Sequence, residues 1–371
     1  MKKTLLATAI AGAIAASGMA VTNAQAATVY DQDGTRLDVY GRIVYGITSG
    51  GTQEEVGVKS TGSEFEDLGS RFGFRMNHQV TSDMSVYARL EFRGRADANN
   101  RDGFDNVRNT YVGVKSNTWG DVMVGNFDSV YYRSGDVLFD VPEGDGWAHL
   151  GGISQGSRGD AISYSTPTLE GFRAHVQAKH LSGNGAEEGA GDNSSTWTTA
   201  AAVDYTIDRL YVSVGYNQAK DVADRGAKYD GGSGNPAGED LVGIFASYQF
   251  TPAFSGRIKY EEVTDTFSQA RLIENGAYDA IESIFGIGGT FDYGAGEIYG
   301  DYYNISMAWD GASSRDQWVL GANYRFSKPM YVFAEVVEFD TSYSDQVFDG
   351  VGNVSELDDD LLYTVGVRYD F

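Results

Sequence analysis

Alternation of apolar and polar residues with a period of two is the feature that most limits what this chain can fold into. At the carboxyl end one parity is apolar throughout and holds Leu361, Tyr363, Val365, Val367, Tyr369 and Phe371. Similar runs occur near 37–48, 71–80, 84–94, 242–250, 254–263 and 317–326. Because successive side chains of a β-strand point to opposite faces, each run predicts a strand whose two faces meet different surroundings.

The connections between the runs alternate in length. Short ones lie near 81–83, 117–121, 166–171, 206–208, 251–255, 293–296 and 327–329. Longer polar ones lie near 49–69, 96–105, 128–160, 182–195, 220–239, 264–280, 309–314 and 340–358. Seven short and eight longer connections join sixteen strands, and an even count places both chain ends on the same side. The glycine-rich stretch 281–308 and the weakly alternating 331–339 leave counts of fourteen or eighteen open.

The amino end has the pattern of a secretory signal peptide. Lys2 and Lys3 precede an apolar stretch over 5–21, and Ala24-Gln25-Ala26 is a small-residue cleavage site. We expect cleavage after Ala26, which removes residues 1–26. A membrane anchor is the alternative, but the stretch is rich in alanine and ends in the cleavage pattern. No later run approaches the roughly 20 apolar residues that a membrane helix needs.

An exported chain with short alternating strands and aromatic residues at their ends predicts an outer-membrane β-barrel protein. We expect residues 27–371 to form an all-β fold, a transmembrane antiparallel β-barrel of about sixteen strands. Such a sheet must close, because open edges would leave backbone groups unpaired in hydrocarbon. A soluble secreted β-solenoid or sandwich is the alternative, and the aromatic strand ends disfavour it.

Composition excludes several classes of function. The chain has no cysteine, which excludes disulfide scaffolds, thiol catalysis and iron–sulfur clusters. Its formal charge of −24, or −26 without the two lysines of residues 1–26, argues against a nucleic-acid partner. The histidines are scattered without metal-ligand spacing, so we expect no cofactor. Residues 31–34 look like the start of a calcium loop but lack its closing glutamate, which predicts a turn.

Three stretches resemble the general diffusion porins of Gram-negative bacteria, and the similarity covers essentially all of the mature chain. They are Leu37-Asp38-Val39-Tyr40-Gly41-Arg42, the block 122–127 leading into Val141-Pro142-Glu143-Gly144, and Val367-Arg368-Tyr369-Asp370-Phe371. The resemblance implies that the third loop, here 128–160, folds into the lumen and narrows it. It also implies a homotrimer in contact with outer-membrane lipid and lipopolysaccharide, and a terminal Phe371 that the barrel-assembly machinery reads.

The chain departs from the family pattern in the third loop. The aromatic residue that usually follows Pro-Glu is replaced by Gly144-Asp145-Gly146-Trp147. The acidic position before Pro-Glu is shifted, with Asp140 two residues before Pro142 and Asp136 further back. These departures leave open which aspartate reaches the lumen.

Parity predicts which charged side chains line the lumen, since a charge facing lipid at mid-depth costs roughly 2–4 kcal/mol. Arg42 faces inward with Asp38, Tyr40 and Val44. The same reasoning places further arginines inward, namely Arg71, Arg75, Arg89 and Arg93. Resemblance adds Arg108 and Arg158 to the basic wall, and the acids that face it, Glu143 with Asp140 or Asp136. The alternative is that the arginines only solvate the lumen or pair with neighbours such as Glu91.

Facing rows of opposite charge in a narrow lumen act as a filter for size and charge, which needs no bond chemistry. We therefore expect passive diffusion of small hydrophilic solutes and ions, with a moderate cation preference, and no enzyme. A solute-specific porin remains an alternative. An outer-membrane β-barrel enzyme is a further one, and it would need a Ser–His or Asp–His constellation at one rim, where only His149 and His180 lie near loops.

Overall fold

The computed structural model describes residues 26–50, 54–55, 58–59, 62–95, 97, 103–151, 159–181, 195–218, 240–265, 280–308, 314–339 and 361–371. Residues 1–25 of the expected signal peptide lie outside these ranges. Arg158, which was predicted to line the pore, also lies outside them. Among the described residues, the helical elements are α1 (Val130–Ser134) and a 3₁₀ turn (Asp136–Leu138). No described helix is long and apolar enough to cross a membrane.

Strands account for most of the described chain. In order they are β1 (Ala27–Gln32), β2 (Thr35–Gly50), β3 (Glu54–Glu55), β4 (Val58–Lys59), β5 (Ser63–Asp67), β6 (Arg71–Gln79), β7 (Met84–Gly94), β8 (Phe104–Val107), β9 (Thr110–Ser116), β10 (Gly120–Asn126), β11 (Ala161–Ser165), β12 (Phe172–Leu181), β13 (Thr196–Ile207), β14 (Leu210–Asn217), β15 (Leu241–Thr251), β16 (Phe254–Val263), β17 (Ile281–Asp292), β18 (Glu297–Met307), β19 (Arg315–Ser327), β20 (Met330–Phe339) and β21 (Leu362–Asp370).

All strands except β3 and β4, which pair with each other, form one closed antiparallel barrel. β5 and β6 both pair with β2, and β8 and β9 both pair with β7, so each of these couples is one interrupted strand. β2 also pairs with β21, from Arg42 opposite Asp370 to Gly50 opposite Leu362, which closes the ring. The predicted sixteen-strand β-barrel is thus confirmed.

The long strands of the barrel have an exposed apolar face and a face that is buried or polar. In β16, Ile258 and Tyr260 are 44% and 42% exposed, whereas the alternate residues Lys259 and Glu261 are 1% and 0% exposed. The buried parity contacts residues 127–151, a segment that touches strands from β11 to β21 and therefore lies inside the ring. The apolar parity is the outer surface, as a barrel in hydrocarbon requires.

A hairpin at the amino end extends the barrel wall. β1 pairs with the first part of β2 through a turn at Asp33 and Gly34, whose φ values of 51° and 72° suit a tight hairpin. The predicted turn is confirmed, whereas the sequence analysis did not identify β1. Ala27 lies opposite Val39 and Phe371 bonds to Gly41, so the two chain ends follow one another along the same edge of β2.

An apolar core lies inside the barrel, between segment 127–151 and the inner faces of several strands. Segment 127–151 contributes Tyr131, Leu138, Phe139 and Leu150, and the strands contribute Leu241, Phe245, Ile284, Tyr303 and Ile305. All of these side chains are at most 3% exposed. Burial of this much apolar surface fixes the segment against β15 to β18.

Candidate functional site

Three arginines stand side by side on the inner face. Arg42 of β2 lies opposite Arg71 of β6, which lies opposite Arg93 of β7. Ile43, of the other parity, is exposed on the outer surface. The antiparallel register therefore places three guanidinium groups at one height on neighbouring strands.

A second row lies beside the first and centres on Tyr40. The guanidinium carbon of Arg75 lies 4.1 Å from the centroid of the Tyr40 ring, within cation–π range. Arg89 Nε donates to Tyr40 Oη at 2.6 Å. The phenol thus holds two further arginines on the same wall.

Glu91 is the residue around which this wall is organised, and its side chain is fully buried. Its carboxylate accepts from Tyr40 Oη at 2.8 Å and from Arg108 Nη1 at 3.1 Å, and it also pairs with Arg89. Arg89 and Arg108 therefore pair with Glu91, which was the alternative role suggested for the arginines. From the sequence, Glu91 was predicted only as a neighbour of the arginines, because its central position depends on cross-strand register.

The remaining arginines differ in their partners. Arg42 Nε pairs with Asp370 Oδ1 at 3.2 Å. Arg71 and Arg93 make no ion pair with any described residue. Together with Arg75, which stacks on Tyr40, these side chains present positive charge on the inner wall without a carboxylate partner among the described residues.

Segment 127–151 is held to the wall first by buried charges. Lys259 Nζ lies 2.6 Å from Asp136 Oδ1 and 2.6 Å from Glu261 Oε2, and all three side chains are 0% exposed. Lys259 Nζ also donates to Ala148 O at 2.6 Å. Asp136 is enclosed by these contacts, so its carboxylate does not face open lumen, contrary to one of the two options from the sequence.

A second attachment joins the same segment to β20 and β21. The backbone N–H groups of Glu143 and Gly144 donate to the two carboxylate oxygens of Glu335 at 2.7 and 2.9 Å. Arg368 Nη1 lies 2.7 Å from Glu143 Oε1, which also accepts from Tyr331 Oη. Glu335 therefore points inward to bind the loop backbone.

The three predicted acids consequently have different surroundings. Asp136 is enclosed, Glu143 is paired, and Asp140 is exposed with a hydrogen bond from Tyr132. Burial raises the pKa of the Glu143 carboxyl to about 7, against the effects of Arg42 and of the Tyr331 hydrogen bond. Asp140 is therefore the acid of this set whose side chain is accessible from the lumen.

No group of three potential metal ligands occurs among the described residues, and the histidines have separate partners. His149 packs against Trp147, with ring centroids 4.2 Å apart. His175 instead bridges Ser165 and Asp204, at 2.7 Å on each side. Sequence reasoning missed this row because its members lie on three different strands.

Comparison with known proteins gives matches along nearly the whole chain. A family model described as Gram-negative porin matches residues 5–344. A "Monosaccharide porin" of Halomonas sp is 28% identical over 383 aligned residues, covering 95% of this chain and 98% of that protein. The "Major outer membrane protein" of Pasteurella multocida is 26% identical over 355 residues, covering 90% and 92%.

Solved structures share the fold. "Salmonella typhi OmpF complex with Daunomycin" matches with a TM-score of 0.67 and 16% identity, covering 92% of this chain and 99% of that one. "Anion-selective porin from Comamonas acidovorans" also has a TM-score of 0.67, with 18% identity and coverage of 91% and 100%. Given the family match and the closed sixteen-strand barrel, the chain belongs to the Gram-negative porins and is a channel protein of the outer membrane.

Proposed function

We propose that this channel allows passive diffusion of small hydrophilic solutes and ions, with a moderate preference for cations. The observation that supports this most directly is the wall of arginines on the inner faces of β2, β6 and β7, which meets the attachments of segment 127–151 at Asp370, the partner of both Arg42 and Arg368. Those attachments run along β11 to β21 and end at Arg368. The pore would then lie between the arginine wall and the segment.

In this proposal the loop 128–160 narrows the lumen, and charge at the narrowest point comes from both sides. Arg71 and Arg93 supply positive charge from the wall, and Asp140 supplies negative charge from the loop. Outside the narrow part, a mature charge of −26 concentrates cations within a Debye length, about 8 Å at physiological salt. Because the arginines oppose the acids, we expect the cation preference to be moderate.

The maturation and assembly of the chain are part of the same proposal. We infer that residues 1–26 are removed as a signal peptide and that residues 27–371 form the barrel. Phe371 would be the signal for the barrel-assembly machinery, and the barrel would form a homotrimer surrounded by lipid and lipopolysaccharide. Support comes from family membership and from the position of Phe371 beside Gly41 at the end of the closing strand.

Reversal potential across a salt gradient tests the charge assignment. Replacing Arg42 and Arg71 with glutamine should strengthen the cation preference, because positive charge leaves the narrow part. Asp140→Asn should weaken it, and Glu143→Gln should weaken it less, since the Glu143 carboxyl is buried and already paired with Arg368. Arg209→Gln, in the turn after β13, is the matched control and should change little.

Two results would contradict this assignment. An anion preference in the unmodified protein would remove it, as would a reversal potential unchanged by neutralising Asp140 and Glu143 together.

The Halomonas relative's name favours one alternative, a solute-specific channel for monosaccharides. That alternative predicts saturable block of ion current by a monosaccharide, whereas passive diffusion predicts no saturation.

A further inference from the structure

Ser165, His175 and Asp204 form a continuous hydrogen-bonded row across three strands. Ser165 Oγ lies 2.7 Å from His175 Nδ1, and His175 Nε2 lies 2.7 Å from Asp204 Oδ2. Ser165 and His175 are Cα partners in the β11–β12 ladder, so the strand register fixes their contact. All three lie on the inner face, since residues of the other parity, Tyr164 and Val176, are exposed outside.

The donors and acceptors of this row can be assigned from its chemistry. An ionised Asp204 carboxylate only accepts, so His175 Nε2 carries a proton and donates it. Nδ1 of the neutral ring then holds a lone pair, which accepts from the Ser165 hydroxyl. This is the order of nucleophile, base and orienting carboxylate that activates serine, with the two ring nitrogens exchanged. Exchange of the two nitrogens still allows the ring to take the serine proton, because both nitrogens belong to one conjugated ring.

A positive charge stands next to the row. Arg173 shares the inward parity of His175 and lies opposite Asp204 in the β12–β13 ladder. Its Nε donates to Thr166 O at 3.2 Å, which holds the guanidinium at the end of the barrel where the short turns lie. Backbone N–H groups here are used in the ladder, so the guanidinium is the donor available for a developing oxyanion.

The row is shielded but not sealed. Ser165 is 5% exposed and His175 is 8% exposed, while the Asp204 side chain is 14% exposed. Restricted access to water strengthens electrostatic interactions at the row and limits it to small reactants that reach the lumen. A structural bridge would also satisfy both ring nitrogens of a buried imidazole, so the reactivity of Ser165 Oγ is what distinguishes the two roles.

We propose that Ser165 is an activated nucleophile that accepts acyl groups from small activated esters in the lumen, an activity beyond the channel function. Ser165 Oγ bonds to the ester carbonyl carbon while its proton moves to His175 Nδ1. The carbon–oxygen bond to the leaving alcohol breaks, and that alcohol takes the proton from His175. Water then releases the carboxylic acid by the same steps, which returns Ser165.

Labelling of the purified, folded protein with a water-soluble fluorophosphonate tests the proposal. Attack by Ser165 Oγ on phosphorus displaces fluoride, and the adduct is located by peptide mass spectrometry. We expect one adduct on Ser165 in the parent protein and none in Ser165→Ala. Loss of the base in His175→Gln should slow labelling by about 10²-fold or more, and p-nitrophenyl acetate turnover should fall in parallel.

Ser247→Ala is the matched control, because Ser247 is also an inward-facing strand serine that is 5% exposed, and its ladder partners are Tyr211 and Arg257, not a histidine. It should label and turn over ester as the parent does. Single-channel conductance should stay at the parental value in every variant, which separates this activity from the channel function and shows that the barrel is folded. Absence of a Ser165 adduct in the folded parent, or labelling that is unaffected by His175→Gln, would overturn the proposal.

Discussion

Replacing Lys259 with methionine is expected to release segment 127–151 from the barrel wall and to destabilise the protein by about 3–5 kcal/mol. The ammonium group is the buried counter-charge of both Asp136 and Glu261, each 2.6 Å away, and it also binds Ala148 O. Methionine has a similar length but no charge, so two fully buried carboxylates would face each other without a cation. Leaving such charges buried is costly, and moving the segment away is the available relief.

Two measurements test the expected effect of Lys259→Met. Guanidinium unfolding in detergent should report the loss of stability, and planar-bilayer recordings should show a larger, noisier single-channel conductance. Arg257→Met is the matched control, because Arg257 forms a similarly buried ion pair with Asp301 of β18, 2.7 Å away. Its contact with the segment is the Phe139 ring, 5.6 Å from the guanidinium carbon, which methionine can still contact. It should lose stability with little change in conductance. A parental conductance in Lys259→Met would contradict the attachment.

Replacing Gly41 with valine is expected to prevent most chains from closing the barrel. Gly41 and Phe371 exchange two backbone hydrogen bonds, of 2.8 and 3.0 Å, at the seam between β2 and the end of β21. A Cβ atom on Gly41 would lie 2.4 Å from Phe371 Cζ and 2.9 Å from Arg71 O. The backbone oxygen cannot move without breaking the sheet, so the terminal ring would be displaced. Overpacking of this kind costs about 1–3 kcal/mol or more.

The folded fraction of Gly41→Val is measured by the difference in gel mobility between unheated and heated samples after refolding. We expect a strong decrease relative to the parent. Gly62→Val is the control, because a Cβ at Gly62 meets nothing within 4 Å. Deleting Phe371 should lower insertion into membranes as well. A Gly41→Val protein that folds as completely as the parent would show that the seam does not depend on this contact.

The barrel could be predicted from the sequence wherever each strand face meets a single medium. β21 and β19 were identified near their observed bounds because outward residues such as Val365 and Leu320 alternate with inward polar ones. The short turns were placed within a few residues; for example, the connection expected at 206–208 lies at Asp208 and Arg209. Local alternation is enough when lipid lies on one side and water on the other.

Prediction was weakest where segment 127–151 covers the inner wall. β17, β18 and β20 have inward apolar residues such as Ile284, Tyr303 and Phe333, so both faces of these strands are apolar in places. A period-two pattern then disappears, although the strands are regular. Glu335 also obscured the alternation of β20, because an acidic residue on the inner face binds loop backbone there, and no local pattern predicts that contact.

The candidate site shows the same division. Parity and resemblance together predicted that the wall arginines, including Arg71, lie on the inner face. What they could not supply was the pairing of charges, which depends on register and on long-range contacts. Glu91 at the centre of the arginines, the burial of Asp136 by Lys259, and the Ser165 row all join residues from separate strands or loops.

Cysteine accessibility in planar bilayers tests the central claim, that a water-filled pore passes beside the arginine wall. The chain has no cysteine of its own, so Arg71→Cys and the lipid-facing Ile43→Cys each introduce a single thiol. We expect stepwise conductance from all proteins, and a bulky, charged methanethiosulfonate added to the bath should reduce it only in Arg71→Cys. Absence of stepwise conductance in the parent, or equal block of Ile43→Cys and Arg71→Cys, would contradict the account.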